Sequence, residues 1–93
     1  MQEMTMLKLN QTYICKKIAN QGFVVPASGT QDASQMMGLN ESGYLLWTAL
    51  EKGADRNALL QLLLREYDVS PADAFADIEE FLDRLKRIGA LEV

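Results

Sequence analysis

The sequence predicts an α+β domain in which three short antiparallel strands are followed by three helices. Three observations carry that prediction. Residues 12–18, TYICKKI, alternate in polarity and are rich in β-branched and aromatic types, which suits a strand. From Asn40 onward the apolar spacing changes to three and four, the period of a helix. Ser70-Pro71-Ala72-Asp73 then opens the clearest helix, with a cap, a proline at the first helical position and a carboxylate in the first turn.

Residues 1–7, MQEMTML, show no period and read as a frayed end; 1–11 form a flexible N-terminal segment and 12–93 the domain. After the first strand, ANQG at 19–22 is a turn, because Asn and Gly tolerate positive φ. FVV, 23–25, is a second strand ended by Pro26, and 26–34 is a polar loop. QMMGL, 35–39, is a third strand, in which Gly38 permits a bulge or the close approach of another backbone.

Asn40 and Ser42 both qualify as N-cap of a first helix that runs to about Lys52, with Leu46, Trp47 and Leu50 on one face and Gly53 as the stop. Asp55 caps a second helix over 56–67, whose inner stripe is Leu59, Leu62, Leu63 and Tyr67. In the third helix, 71–88, Ala74, Ile78, Phe81, Leu82, Leu85 and Ile88 share one face, and Gly89 ends it. Asp73, Asp77, Glu80, Arg84 and Arg87 line a polar border, acidic first and basic last, as the helix dipole prefers. Ala90 to Val93 is a short apolar tail. Three short strands cannot stand alone, so their apolar face packs on the helices.

The chain has 93 residues, enough for one small domain with a thin core. Its net charge is −4, and the first 40 residues are slightly basic while the remainder carries eleven acidic against six basic residues. Such a surface attracts neither phosphate backbones nor anionic lipid headgroups. The apolar runs are too short to span a membrane, and no signal-peptide pattern opens the chain. The single cysteine, Cys15, makes no internal disulfide, which suits a reducing, cytoplasmic setting.

No catalytic constellation is present. The chain lacks histidine, which removes the commonest general base and metal ligand. Its six glycines never form a phosphate-cradling G-x-G pair. Asp73, Asp77 and Glu80 share a helix face, but supply too few oxygens for a calcium ion. The expectation is therefore a protein without catalytic residues, metal or cofactor. Three helices with a small sheet are also similar to a winged helix, in which the last helix enters the major groove. Here that helix bears Asp73, Asp77, Glu79, Glu80 and Asp83 against Arg84, Lys86 and Arg87, so groove entry is opposed electrostatically.

Laid out in order, the residues resemble a known family. Leu39-Asn40-Glu41-Ser42-Gly43 is followed one helical turn on by Trp47, then by Tyr67-Asp68-Val69-Ser70, Asp77-Ile78, Phe81-Leu82, Leu85 and Gly89-Ala90-Leu91. This set, over about residues 12–93, resembles the family of the pyrroloquinoline quinone biosynthesis chaperone PqqD and the related recognition elements of ribosomally made, modified peptides. The resemblance implies a winged-helix-like fold and a non-catalytic task. The domain would bind the leader of a precursor peptide and present it to a tailoring enzyme, of the radical S-adenosylmethionine type in the quinone pathway. It implies that the leader adds as a strand on the edge of the third strand, at Gln35, Met36, Met37, Gly38 and Leu39, in a cleft walled by the third helix through Asp77, Ile78, Phe81 and Arg84.

That reading explains the stretch MMGLNESGYLLW, 36–47. An edge strand offers unpaired N–H and C=O groups to a peptide backbone, and methionines repack around varied apolar anchors. Met36 and Met37 point to opposite faces, so one lines the cleft and the other joins the core. Leu39 and Trp47 are expected in the core, and Phe81 either in the core or on the cleft wall. An open edge also invites self-pairing into a homodimer. The alternatives are a structural or regulatory interaction domain that keeps the fold, and a winged-helix DNA-binding protein.

Overall fold

The structure is a computed structural model, and it describes residues 6–29 and 36–92. Its elements run β1 (Lys8–Leu9), β2 (Tyr13–Ile18), β3 (Gln21–Pro26), β4 (Met37–Leu39), α1 (Glu41–Lys52), α2 (Arg56–Glu66), α3 (Pro71–Ile88) and β5 (Leu91–Glu92). The expected three-strand, three-helix α+β order is present as β2-β3-β4 followed by α1, α2 and α3. The first strand of that order is β2, because a two-residue strand precedes it.

β2 and β3 form an antiparallel hairpin in which Ile18 pairs with Gln21. The turn is therefore only Ala19-Asn20, both at positive φ (54° and 68°), the geometry that matches strand twist in a two-residue hairpin. Gln21 and Gly22, expected in the turn, belong to β3 instead. Gly22 is there for room: a Cβ on it would lie 3.0 Å from Cδ1 of Tyr44, so the ring of α1 rests directly on the β3 backbone. Lys17 completes the stack, its Nζ 4.6 Å from the Tyr44 ring centre.

β4 pairs antiparallel with β3 in unbroken register, Val24 with Met37, Phe23 with Gly38 and Gly22 with Leu39. The strand covers 37–39; Met36 precedes it, and Gln35 lies outside the described residues. Gly38 makes no bulge. Alternation sends Met37 and Leu39 into the core, at 5 % and 3 % exposure, and turns Gly38 outward.

Each helix begins at a side-chain cap. Asn40, not Ser42, caps α1 by accepting from the N–H of Gly43 at 2.8 Å; Ser42 instead donates its hydroxyl to the same Asn40 oxygen. Asp55 caps α2 and Ser70 caps α3 in the same way. α2 stops at Glu66, one residue before the expected end: Tyr67 is extended, though its N–H still reaches Leu63. α3 covers the expected 71–88 and ends at Gly89 in the left-handed conformation.

The largest departure is at the ends of the chain. From Leu7 onward the N-terminal segment pairs with other parts of the chain. Leu7 bridges to Ala54, and β1 forms an antiparallel pair with β5, Lys8 with Glu92 and Leu9 with Leu91. The apolar tail after Gly89 is thus a strand. Ala90 and Leu91 are buried, at 0 % and 5 % exposure, so this small sheet closes one end of the core.

The core joins Val24, Met37 and Leu39 of the sheet to Leu46, Trp47 and Leu50 of α1, Leu59 and Leu63 of α2, and Ala74, Ile78, Phe81, Leu82 and Leu85 of α3. Trp47 is 1 % exposed, and its indole N–H donates to Glu51 at 2.9 Å, so the one polar atom of the ring is satisfied. Among the described residues no buried side-chain nitrogen or oxygen lacks a partner, and no helix is long and apolar enough to cross a membrane.

Candidate functional site

β4 is an outer strand of the β2-β3-β4 sheet. The side-chain amide of Gln21, on β3, donates to the carbonyl oxygen of Leu39 at 2.6 Å, so that carbonyl faces β3. In a pleated strand the N–H and C=O of successive residues point to opposite edges. The backbone groups of Gly38 therefore face away from β3, along the edge that no other described strand pairs. A Cβ on Gly38 would meet only ordinary contacts within the chain, 3.7 Å from Cε1 of Phe23 and 3.8 Å from the Gln21 amide nitrogen. Internal packing does not demand glycine here, and its lack of a side chain keeps the strand unobstructed.

α3 forms the facing wall, and two hollows mark the seam. One, of about 270 Å³, is lined by Met36, Met37 and Gly38 on one side and Arg84, Arg87 and Ile88 on the other. The second, about 190 Å³, lies between the start of α1 (Asn40, Ser42, Gly43, Leu46) and Asp77, Glu80, Phe81 and Arg84. Arg84 lines both. Gly43 fits closely under its own N-cap: a Cβ there would lie 3.1 Å from the Asn40 side-chain oxygen and 3.4 Å from Leu39 Cδ2, and in ordinary contact with α3 at 3.6 Å from Phe81 Cε1.

The expected contacts divide among these surroundings. Asp77 and Arg84 are exposed at the seam. Met36 is half-buried in the first hollow, while Met37 reaches the core. Phe81, at 6 % exposure, combines the two roles: it packs in the core and its ring edge floors the second hollow. Ile78, at 1 % exposure, lines neither hollow; it lies on the buried stripe with Ala74, Leu82 and Leu85 and supports the wall from behind. Leu39 is likewise core, and what it offers is the turn into α1. Asn40, Ser42, Gly43 and Ile88 line the seam without having been expected there. Asn40 and Gly43 are legible in sequence as a cap and a helix glycine, and neither feature says which surface they face.

Among the described residues no three cysteine, aspartate or glutamate side chains gather as a metal ion would need. Burial, reinforced by the charge of Glu51, pushes the Cys15 thiol up from its ordinary value, against a smaller pull from the Phe23 backbone and Lys17. A protonated, half-buried thiol is a poor nucleophile. A larger hollow, about 800 Å³, lies elsewhere, between residues 6–11 and α1, where Lys52, Glu51 and Glu92 are among the lining residues.

Two solved structures superpose on the chain with a TM-score of 0.76 and 23 % sequence identity. One is TbiB1 in complex with the TbiA(beta) leader peptide, matched over 91 % of this chain and 94 % of that one. The other is a lasso peptide synthetase B1 complexed with the leader peptide, matched over 94 % and 98 %. At that identity the likeness concerns the fold. No curated protein matches the chain. The family model of coenzyme PQQ synthesis protein D matches residues 22–91, from the Gly22 contact with Tyr44 through β4, the three helices and the start of β5. With the match covering most of its length, the chain belongs to the PqqD family.

Proposed function

We propose that this protein is a non-catalytic chaperone that binds the leader of a ribosomally synthesised precursor peptide and presents it to a peptide-modifying enzyme. The leader lies as a fourth strand on the edge of β4, its backbone pairing with the N–H and C=O of Gly38, its side chains against α3. The observation that carries this reading is the outward-facing backbone pair of Gly38 opposite the seam lined by Met36, Phe81 and Arg84. Membership of the PqqD family supports it, as do the leader-bound states of the two structural neighbours. The enzyme partner in this reading is of the radical S-adenosylmethionine type, and the setting is the cytoplasm.

The test is an amide NMR titration of the full chain with the leader of the nearest encoded precursor peptide. Shifts concentrated at 36–39 and along 77–88 are expected. A leader that leaves these residues unmoved at millimolar concentration would sink the proposal.

A further inference from the structure

The seam between β4 and α3 is sorted by charge along its length. Met36 and Gly38 lie beside Arg84 and Arg87, whereas Asn40 and Ser42, further along the chain, lie beside Asp77 and Glu80, with Arg84 between the two groups and lining both hollows. Chain order thus rises on one wall as it falls on the other: β4 runs from the basic end of the seam to the acidic end. Arg87 is engaged with Asp83 at 2.7 Å. Among the described residues Asp77, Glu80 and Arg84 have no ion-pair partner. Each is exposed. The seam therefore presents carboxylates at one end and a guanidinium towards the other, none of them held in a close ion pair among the described residues.

We infer that the site reads the direction of its peptide by charge. It takes a strand that runs antiparallel to β4, with Lys or Arg towards its amino end, over Asp77 and Glu80, and Asp or Glu towards its carboxyl end, over Arg84 and Arg87. The inference rests on the proposed use of the β4 edge. Direction follows from the sheet: β2, β3 and β4 are antiparallel throughout, and antiparallel pairing is the more stable continuation. The spacing follows from α3, which rises about 15 Å between Asp77 and Arg87. An extended peptide covers that distance in about four to five residues. A peptide with the reverse arrangement sets like charges together at both ends, which complementary surfaces use to exclude wrong partners.

Two end-blocked synthetic peptides of identical composition test this on the full chain. One has two lysines, four alternating valines and threonines, then two glutamates; the other exchanges the lysines and glutamates. The lysine-first peptide is expected to bind about tenfold tighter at low salt, with the gap closing near 0.5 M as screening shortens the charge reach to about 4 Å. Reversing the seam with Asp77→Lys, Glu80→Lys and Arg84→Glu together is expected to invert the preference; all three side chains are exposed, and an unchanged urea midpoint checks the fold. Equal affinity, or a preference for the glutamate-first peptide, with amide shifts at 36–39 would overturn the directional reading and leave edge docking standing. No shift with either peptide at millimolar concentration would overturn both.

Discussion

The phenol of Tyr13 donates a hydrogen bond to the carbonyl of Ile88, linking the first residue of β2 to the last residue of α3. Asn10 adds two more bonds nearby, from its side chain to Gly89 and from its backbone to Ala90. The C-terminal carbonyls of a helix have no partner within it. Here the N-terminal segment supplies partners for the helix end that flanks the β4–α3 seam.

Replacing Tyr13 by Phe keeps the ring and removes the donor. Stability is expected to fall by about 1 kcal/mol, the usual net worth of such a bond. Urea unfolding measures the loss, and faster amide exchange at residues 89–91 locates it. An unchanged midpoint would mean that water serves the Ile88 carbonyl equally well.

Two glycines should respond oppositely to alanine. Gly43→Ala sets a methyl 3.1 Å from the Asn40 oxygen and 3.4 Å from Leu39. A loss of about 1–3 kcal/mol is expected, as in other overpacked sites. Gly38→Ala meets nothing closer than 3.7 Å and should stay within about 0.5 kcal/mol, as surface changes do. Thermal or urea midpoints of the two variants, measured side by side, decide it.

The cap at Asn40 is open to a simple test. Asn40→Ala removes the acceptor for the Gly43 N–H and for the Ser42 hydroxyl. A loss of about 1 kcal/mol is expected, and Asn40→Ser should recover most of it, since serine caps nearly as well.

Cys15 gives a pH signature. Its thiol is pushed above the ordinary value of 9.0 by burial and by Glu51. The folded chain therefore holds this proton at a pH where the unfolded chain releases it. Stability is unaffected well below pH 9 and declines as pH rises beyond it. The wild type should lose more between pH 8 and pH 10 than Cys15→Ala does. At pH 8 iodoacetamide should label Cys15 more slowly in the folded chain than in urea.

What could be read from sequence follows from how local the signals are. α3 was legible to the residue because Ser70-Pro71 and Gly89 punctuate it and its apolar stripe is long. The hairpin turn was placed two residues too long because Gly22 looked like turn chemistry, whereas it answers to the Tyr44 ring on α1. β1 and β5 were missed because two-residue strands carry no period, and their pairing joins opposite ends of the chain. At the seam, Asp77 and Arg84 were legible as polar positions on α3. Ile78 was legible as part of the apolar face of α3, but sequence does not say that it lies behind the wall and lines neither hollow. The outward turn of the Gly38 backbone depends on the β3–β4 register, which no spacing in the chain encodes.

The β1–β5 ladder has a mechanical consequence. Lys8 pairs with Glu92 at its outer end and Leu9 with Leu91 at its inner end. A pull that separates residues 7 and 92 therefore loads the outer pair first and parts the ladder like a zip, not in shear. Once it parts, tension arrives next at Asn10 and Tyr13, the residues that hold the end of α3. A tug between these two segments therefore reaches the end of α3 only after the ladder has parted.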